Sequence, residues 1–412
     1  MEFIADFHIH SKYSRATSRD MDVKNLALWA KLKGITLMGT GDFTHHLWLE
    51  ELKHTLEDCG NGLFKHAGVN FMLTAEISSI YSKGGKGYRI HNLIFAPSFA
   101  VVDKINSALL SRGANLSSDG RPIIGLAAAE LARIVFDIDE NCMIVPGHIW
   151  TPWFSLFGSM SGFDKIEDCF EEQTSKIFAL ETGLSSDPAM NWRLSALDRF
   201  TLISNSDSHS PQRIGREANV FDCELDYKTI REVLKTKDKK RFLYTLEFFP
   251  EEGKYHYDGH RLCEVRWAPI QTRQNNGKCP KCGKPVTIGV VNRVEKLADR
   301  VEGFKPENSI PFKNLVSFDE IVAEVKGVGK ASLSVVREYR GYLAKFGTEF
   351  DILLKASKEE LLKGLPAKMA EGVLRVRQGK VDIRPGYDGE YGTISIFGKD
   401  KPEQTEQQLS LF

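Results

Sequence analysis

Two histidines one residue apart stand near the start of the chain, in the stretch "ADFHIHSKYS" at positions 5–14. On a β-strand the side chains of residues i and i+2 point to the same face, so His8 and His10 are expected side by side, with Asp6 on that face. Imidazole nitrogens and carboxylates in this arrangement are common metal ligands. The alternative is a chance pair of histidines on a surface strand, and further ligands elsewhere in the chain would argue against it.

Other residues able to bind a metal recur at the ends of predicted strands. Short apolar runs predict strands over residues 2–9, 35–42, 70–81, 88–96, 142–148, 177–183, 200–207 and 241–248. The metal-capable residues at or near their ends are Asp42 with His45, Glu76, His91, His148, and Asp207 with His209. Each alone has an ordinary explanation, such as a helix cap, a turn or a core histidine. Their recurrence favours one shared site.

The elements between these strands explain how distant residues could meet. The stretches 23–34 and 125–138 have apolar spacing close to the helical period, and the first ends on a glycine. Strands that alternate with helices indicate βαβ units and a mainly parallel sheet. In an α/β barrel the active site lies at the carboxyl ends of the strands, and about seven or eight strands match a barrel in size. An open sheet is the alternative.

Length and composition limit the remaining possibilities. A chain of 412 residues exceeds one ordinary core, because cores stop growing at about 250–300 residues, so several domains are expected. No apolar run approaches the ~20 residues that cross a bilayer, and "MEFIADFHIH" lacks the features of a signal peptide. We therefore expect a cytoplasmic protein with no membrane partner. Seven cysteines, an odd number, fit reduced thiols better than a disulfide framework.

Five motifs of the first half resemble a known family. In order and spacing, "DFHIHS", "GTGDFTH", "TAEIS", "PGH" and "SNSDSHS" are similar to the successive motifs of the PHP (polymerase and histidinol phosphatase) metallophosphoesterases, over about residues 1–215. The resemblance implies an α/β fold with a PHP-type (β/α) barrel, distorted and seven-stranded. It also implies two or three divalent metal ions of the kinds Zn, Mn, Fe or Mg.

The same resemblance implies a ligand for each metal position. His8, His10, Glu76 and Asp207 would hold one metal. Glu76 would bridge to a second metal held by His91 and His148, and a third position would use Asp42 and His209. Glu76 and Asp207 would be the catalytic residues. Many relatives place another histidine soon after the His-x-His pair, where this chain has "YSRATS", and this departure weakens the third position.

The chemistry of such a ligand set points to phosphate esters. A bridging carboxylate holds two metals about 3.5–4 Å apart, and the pair lowers the pKa of a bound water and clamps the oxygens of an in-line displacement at phosphorus. The sequence contains no GxSxG elbow or Walker loop that would indicate a competing chemistry. We therefore predict hydrolysis of a phosphate ester.

A second metal site is predicted in the stretch 256–285. His260 and Cys263 form an HxxC pair, Cys279 and Cys282 form a CxxC pair, and two such pairs are typical of one structural zinc. His256 is a rival fourth ligand. A redox CxxC is the other alternative, but the strand and helix of a thioredoxin-like context are missing around "GKCPKCGKPV".

Cationic residues surround the predicted zinc ligands. Residues 226–305 carry 18 Lys and Arg against 11 Asp and Glu, although the whole chain has no net charge. The cations and the aromatic residue among the ligands are Arg261, Arg266, Trp267, Arg273 and Lys281. Such a set could contact a nucleic acid, and we single out Arg266 and Arg273 as DNA-binding residues.

The stretch 318–347 places "KGVGKAS" between two helical patterns. Glycines at the turn of a helical hairpin, followed by a helix N-terminus, can present backbone N–H groups to a phosphate. This pattern predicts DNA contacts by Gly327, Gly329 and Lys330, as in helix-hairpin-helix units. A tight turn without any ligand is the alternative.

Taken together, the motifs of both halves resemble the endonuclease Q family across nearly the whole chain. The resemblance implies nicking of DNA on the 5′ side of deaminated bases (uracil, hypoxanthine and xanthine) and of abasic sites. It divides the chain into a PHP-like catalytic barrel (1–248), a zinc-binding module (249–305), a helical DNA-binding region (306–397) and a tail (398–412). A small-molecule phosphatase and a non-catalytic DNA-binding scaffold are the competing functions.

The end of the tail carries one more motif. A polar segment leads to Gln408, Leu409, Ser410, Leu411 and Phe412. The string "QLSLF" resembles the pentapeptide by which bacterial DNA-processing proteins bind the replication sliding clamp, which makes the clamp a predicted partner. Docking of these apolar residues on the protein's own surface is the alternative.

Overall fold

The computed structural model describes residues 1–398. The predicted clamp motif at 408–412 lies outside the described residues. The strands up to residue 248 are β1 (Glu2–Asp6), β2 (Leu37–Gly39), β3 (Glu57–Asp58), β4 (Phe64–His66), β5 (Val69–Lys83), β6 (Lys86–Ala96), β7 (Ile123–Ile124), β8 (Met143–Pro146), β9 (Ala179–Glu181), β10 (Thr201–Ile203), β11 (Ala218–Asp222) and β12 (Phe242–Glu247). The helices of this part are α1 (Val23–Lys33), α2 (His46–Thr55), α3 (Phe99–Leu110), α4 (Ala128–Ile138), α5 (Ile166–Phe170), α6 (Pro188–Asn191) and α7 (Tyr227–Thr236).

The sheet is mixed rather than mainly parallel. Strands β1, β2 and β5 are parallel neighbours, whereas β6 is antiparallel to β5, and β8 is antiparallel to β6. The expectation of a mainly parallel sheet was therefore wrong at this point. The reason is the short connection between β5 and β6, because a parallel pair needs a crossover of a dozen or more residues. Strand β11 was not predicted, and it runs antiparallel to β1.

Buried asparagines join strands that are not paired by backbone hydrogen bonds. Strands β9 and β10 form a separate two-stranded parallel sheet within the described residues. The side chain of Asn219 in β11 accepts from the N–H of Ser204 at 3.0 Å and donates to its carbonyl at 2.7 Å. The side chain of Asn205 accepts from the N–H of Phe7 at 2.9 Å. These contacts tie the end of β10 to β11 and to the end of β1, where the backbone ladder is interrupted.

The alternation of side chains along the strands decides which residues face the site. Met72 of β5 and Leu93 of β6 belong to one buried apolar cluster, and Leu73 belongs to a second cluster that includes helix residues. Side chains two or four residues apart share a strand face. Glu76 therefore lies on the face of Met72, and His91 on the face of Leu93, at the open end of the barrel.

Helix α1 shows how the local sequence fixes an element. The side chain of Asp22 accepts from the N–H of Asn25 at 2.8 Å and caps the first turn. Gly34 ends the helix with φ of +90°, a left-handed conformation that favours glycine. Both ends agree with the predicted helix over 23–34.

The second half contains short strands and a bundle of helices. The strands are β13 (Asp258–His260), β14 (Val265–Trp267), β15 (Phe312–Asn314), β16 (Asp382–Arg384) and β17 (Thr393–Ser395). The helices are α8 (Pro269–Gln274), α9 (Val290–Leu297), α10 (Phe318–Lys326), α11 (Leu333–Phe346), α12 (Lys358–Gly364) and α13 (Ala367–Arg377). None of the helices within residues 1–398 combines the length and apolarity that a bilayer crossing requires.

Several contacts cross the predicted domain boundaries. Strand β15 pairs in parallel with β12 and so extends the sheet of the barrel. Near the end of the described chain, the N–H of Gly386 donates to the carbonyl of Glu251 at 2.8 Å, and Asp388 accepts from the hydroxyl of Thr287 at 2.6 Å. The barrel, the zinc-module residues and the helical region are thus in extensive contact. The seven cysteines are free thiols.

Candidate metal centre

Two groups of buried side chains bring donor atoms together at the open end of the barrel. In each group the donor atoms lie within 4.8 Å of one another. The first group is His8, His10, Glu76 and Asp207, and the second is Glu76, His91 and His148. Glu76 belongs to both groups, as the predicted bridging position requires.

The two carboxylate oxygens of Glu76 face different histidines. Oε2 lies 3.1 Å from Nε2 of His10 and 3.4 Å from Nε2 of His8. Oε1 lies 2.5 Å from Nδ1 of His91 and 3.1 Å from Nε2 of His148. One carboxylate therefore links the two groups through separate oxygens, which is the arrangement of a bridging ligand.

Several donor atoms in the first group are buried without a hydrogen-bond partner. Nε2 of His8, Nε2 of His10 and Oδ1 of Asp207 all lack one, although the two nitrogens lie 3.6 and 3.1 Å from Oδ1 of Asp207. Buried polar atoms in proteins are otherwise almost always satisfied. The unsatisfied atoms converge on one point, and nitrogen and carboxylate donors in this number suit a divalent transition metal.

A second layer of carboxylates orients the histidines of the first group. Nδ1 of His8 lies 3.0 Å from Oε1 of Glu181, and Nδ1 of His10 lies 3.1 Å from Oδ1 of Asp42. A carboxylate on Nδ1 fixes the tautomer that leaves Nε2 free for a metal. Glu181 and Asp42 therefore support the ligands from behind.

The structure does not bring Asp42 and His209 together as the ligands of a third metal. Neither belongs to a donor group among the described residues. Oδ2 of Asp42 accepts from the N–H of Ser11 at 2.6 Å and from the hydroxyls of Ser11 and Ser14 at 2.7 and 2.8 Å. Nδ1 of His209 instead donates to the carbonyl oxygen of Asp207, in its own loop, at 3.0 Å.

Three residues of the site have unusual backbone conformations. Asp42, His148 and Asp207 have φ angles of +49°, +28° and +46°. Non-glycine residues with positive φ are uncommon, and such strain clusters at functional sites. Each of the three lies two to four residues beyond the end of a strand, β2, β8 or β10.

The electrostatics of the site favour a positive charge. Burial alone would lower the pKa of His8, but the carboxylates of Glu181, Glu76 and Asp207 hold it well above its ordinary value. Burial alone would raise the pKa of Asp207, but His8 and His10 hold it below its usual range. Burial lowers the pKa of His91 to about 4, which keeps this imidazole neutral. A neutral imidazole is the form that binds a metal.

A cavity of about 670 Å³ opens beside the first donor group. Asp207 and His209 form part of its wall on the barrel side, and Glu320 and Lys330 form part of its wall on the helical side. Aromatic residues that line it are Phe248, Tyr255, Phe350 and Tyr391. The volume is that of a site for a compact organic ligand.

Solved structures match this fold and its full length. The lesion-specific endonuclease PfuEndoQ from Pyrococcus furiosus aligns with 97% of this chain and 97% of its own, at 32% identity and a TM-score of 0.86. The chain belongs to the endonuclease Q family. A second structure, of an endonuclease Q bound to a 27-mer duplex with an abasic lesion at the active site, covers 96% of both chains, at 32% identity and a TM-score of 0.85.

Two curated relatives also align with the chain. An uncharacterized protein from Methanocaldococcus jannaschii, MJ0043, is 32% identical over 300 residues, which are 69% of this chain and 36% of that protein. This chain thus spans about a third of the length of that relative. An uncharacterized protein from Bacillus subtilis, YqxK, is 28% identical over 408 residues, 95% of this chain and 98% of that protein. A comparison with models of protein families gave no match.

The family assignment confirms two predictions drawn from the motifs. The chain has the α/β fold predicted for its first half and the helical region predicted for its end. The predicted class, a metal-dependent hydrolase of DNA, is confirmed at the level of the family. The ligand set, the zinc site and the DNA-contacting residues remain predictions about this chain.

The four predicted zinc ligands form a third donor group. His260, Cys263, Cys279 and Cys282 have their donor atoms within 4.8 Å of one another. Sγ of Cys282 lies 3.8 Å from Nδ1 of His260. The rival ligand, His256, is buried outside this group, and burial lowers its pKa to about 4.

The predicted DNA-binding residues have partners within the protein. The helical hairpin exists as α10 and α11, and Gly327 ends α10 with φ of +66°. Nζ of Lys330 donates to Oε1 of Glu320 at 3.0 Å. At Gly329, no atom lies within 4 Å of the position that a Cβ would occupy. Arg266 donates to the carbonyl of Pro385 at 3.2 Å.

Arg273 pairs with a carboxylate of helix α9, Glu295. Its side chain is nevertheless about half exposed, at 54%. An exposed ion pair of this kind contributes little to stability, so Arg273 can exchange partners at small cost.

Two residues of the centre, Glu181 and Arg121, were not predicted from the sequence. Glu181 ends β9, so the strand-end pattern that selected the other residues applied to it as well. Arg121 lies in the loop between α3 and β7, with Nη1 3.2 Å from Oε2 of Glu76. No periodic pattern in the sequence points to an arginine in such a loop.

Proposed function

We propose that this protein is a DNA repair endonuclease that hydrolyses the phosphodiester bond on the 5′ side of a damaged nucleotide. Its targets would be deaminated bases, namely uracil, hypoxanthine and xanthine, and abasic sites. One observation carries the proposal: the first donor group, through Asp207, forms part of the wall of a cavity large enough for a nucleotide. Full-length similarity to lesion-specific endonuclease Q structures supports it.

The metal assignment follows from the two donor groups. His8, His10, Glu76 and Asp207 would hold one divalent ion, and Glu76, His91 and His148 would hold a second. Unsatisfied nitrogens and a carboxylate oxygen that converge in the first group support this fit, and in the second group the close approach of Oε1 of Glu76 to His91 and His148 supports it. When bound, such ions act as Lewis acids on the phosphate and supply a nucleophile at neutral pH. This donor set accepts Zn²⁺, Mn²⁺ or Fe²⁺.

A third metal at Asp42 and His209 is not part of this proposal. Asp42 already accepts three hydrogen bonds on Oδ2, and its Oδ1 faces His10. Its role would be to position His10, as Glu181 positions His8. A carboxylate held in this way is a support of the ligand shell rather than a ligand.

The cavity would receive the nucleotide after it is flipped out of the duplex. An enzyme that must read one base in a duplex takes it out of the stack and reads its hydrogen-bonding edge. Uracil and hypoxanthine each present a carbonyl oxygen beside a ring N–H, whereas cytosine and adenine present an amino group beside a ring nitrogen. The cavity offers both kinds of partner, since Arg213 and Lys330 are donors and Glu320, 2.9 and 3.0 Å from them, is an acceptor.

The remaining parts would serve this reaction. The module around His260, Cys263, Cys279 and Cys282 would bind one structural zinc, because two closely spaced ligand pairs suit a closed tetrahedral site. We keep the division into a barrel (1–248), a zinc module (249–305), a helical DNA-binding region (306–397) and a tail. The sliding clamp stays a predicted partner through residues 408–412, outside the described part of the chain.

A panel of end-labelled duplexes tests the proposal. Each duplex carries one dU, dI or abasic site, and matched duplexes carry dT, dC or dA at the same position. We expect a single nick 5′ of the lesion with Mg²⁺, Mn²⁺ or Zn²⁺ and none after chelation. Equal nicking of the undamaged duplexes, or release of inorganic phosphate from a small monoester without any nicking, would overturn it.

A further inference from the structure

One cationic side chain, that of Arg121, contacts a carboxylate of the metal centre from an irregular loop. Within residues 1–398, the only ion pair between an arginine or lysine and the carboxylate of Glu76 or Asp207 is that of Arg121 with Glu76. Its Nη1 lies 3.2 Å from Oε2 of Glu76, and 30% of the side chain is exposed. The guanidinium therefore contacts the buried centre and is itself partly accessible to solvent.

The loop that carries Arg121 is anchored to the segments that carry the proposed ligands. On one side, the N–H of Gly120 donates to the carbonyl of Tyr13 at 3.1 Å, and the hydroxyl of Thr44 donates to the carbonyl of Gly120 at 3.3 Å. On the other side, the N–H of Ser78, in the strand of Glu76, donates to the carbonyl of Pro122 at 3.0 Å. The backbone on both sides of Arg121 is thus fixed.

Gly120 shows how closely this loop packs on the site. A Cβ at position 120 would lie 2.3 Å from Oδ2 of Asp42 and 2.3 Å from Oγ of Ser14. Real Cβ atoms do not approach other atoms so closely, so only glycine lets the loop pass here. Because the backbone passes so close to Asp42 at Gly120, the next residue, Arg121, is held at a defined position beside Glu76.

The contact with Glu76 uses one of the five N–H donors of the guanidinium. Both oxygens of Glu76 also face imidazole nitrogens of the two donor groups, and there they would share the bound cations. A planar guanidinium matches the spacing of two phosphate oxygens, and it remains charged at any pH relevant to the protein. The free donors of Arg121 therefore suit a phosphate held over the metals.

We infer that Arg121 is a catalytic residue that binds the non-bridging oxygens of the scissile phosphate. This inference rests on the proposed function and names a further residue of the same site. The negative charge on these oxygens is stabilised by a donor whose position is fixed before the substrate binds, and that kind of preorganisation gives the largest rate effects. Arg121 would transfer no proton in the reaction, since its guanidinium stays charged and binds the negative charge of the phosphate.

The variants Arg121→Gln and Arg121→Lys test the inference in the metal-loaded full chain. We expect Arg121→Gln to lower kcat for a dU duplex by about 10²–10³-fold, as the loss of one such donor does elsewhere, with a KM within a few fold of wild type. Arg121→Lys should recover only part of the loss, because lysine keeps the charge but lacks the planar fork. Added guanidinium should partly restore Arg121→Ala. The matched control is Arg112→Gln, at the exposed start of the same loop.

Two further measurements separate binding of phosphate from mere support of Glu76. Calorimetry with inorganic phosphate should show affinity at least about tenfold weaker in Arg121→Gln than in wild type, and the metal content should be equal. If Arg121→Gln had the kcat and the phosphate affinity of wild type, the inference would be wrong. It would also be wrong if Arg121→Gln lost its metals and regained normal turnover once metal was added back. If wild type nicks no lesion duplex but Arg121→Gln still loses phosphate affinity, the proposed function fails and the inference stands.

Discussion

Oε1 of Glu181 lies 3.0 Å from Nδ1 of His8, and both side chains are almost completely buried. The same carboxylate accepts from the N–H of His148 at 2.7 Å and from the side-chain amide of Asn205 at 2.9 Å. One residue from β9 thus positions a histidine of each donor group. The imidazole of His8 cannot turn away from the centre without breaking a buried, charge-assisted hydrogen bond, and the backbone of His148 is held by another.

We predict that Glu181→Gln weakens metal binding by about 10–100-fold, the usual effect of losing a carboxylate behind a ligating histidine. Glutamine has one acceptor oxygen where glutamate has two, so its NH₂ group would face one of the three donors around it. Metal titration followed by calorimetry measures the effect. Glu172→Gln, an exposed position just before β9, is the control. Equal metal affinity in the two variants would remove Glu181 from the supporting layer.

The strand-end pattern explains why much of the centre could be predicted from the sequence. His148 follows the end of β8, as this pattern requires. Glu76 and His91 instead lie inside the antiparallel pair β5 and β6, and the alternation of side chains along these strands places them at the site. The family resemblance then grouped them around Glu76, and the structure brings their donor atoms within 4.8 Å of one another. Asp42 fits the same pattern, but in the structure it lies behind His10. Sequence spacing alone does not distinguish a metal ligand from a residue that positions a ligand.

Other features depend on packing that the sequence does not encode locally. Arg121 reaches Glu76 because three hydrogen bonds and one glycine fix its loop, and these partners come from three distant segments. The mixed sheet, by contrast, was predictable: the runs 70–81 and 88–96 are too close together for a crossover, and only a hairpin can join them.

A buried ion pair between the barrel and the helical region gives a stability prediction. Nζ of Lys33 lies 2.9 Å from Oε2 of Glu349, with side-chain exposures of 4% and 3%. Lys33→Met should lower the free energy of unfolding by about 3–5 kcal/mol, because it leaves a buried carboxylate without its cation. Urea denaturation measures the change. Lys31→Met, at an exposed position of the same helix, should cost far less, and equal effects of both variants would contradict the prediction.

The zinc group predicts a part of the chain whose folding depends on metal. Structural zinc contributes on the order of 10 kcal/mol to a module too small to fold alone. Cys279→Ser should therefore lose one bound zinc and become sensitive to protease within residues 250–300. Metal analysis and limited proteolysis measure both effects. Cys59→Ser, an exposed cysteine outside the group, is the control, and identical results for both variants would show that Cys279 is not a ligand.

The tail motif predicts a partner without affecting catalysis. Deletion of residues 408–412 should leave nicking of free oligonucleotides unchanged and abolish binding to a bacterial sliding clamp. For so short a peptide we expect micromolar affinity, roughly −8 kcal/mol. Calorimetry with the full chain and the deletion measures it. No binding by the full chain at high micromolar clamp, or unfolding of the deletion variant, would show that the motif does not serve a clamp.

The rate at which Glu76→Gln nicks a duplex with a single dU tests the central claim most directly. Glu76 is the one residue that belongs to both donor groups, and glutamine keeps its shape but not its charge. We predict no detectable nicking, DNA affinity within a few fold of wild type, and normal nicking by the exposed control Glu57→Gln. Nicking by Glu76→Gln at a rate near that of wild type would contradict hydrolysis at this centre.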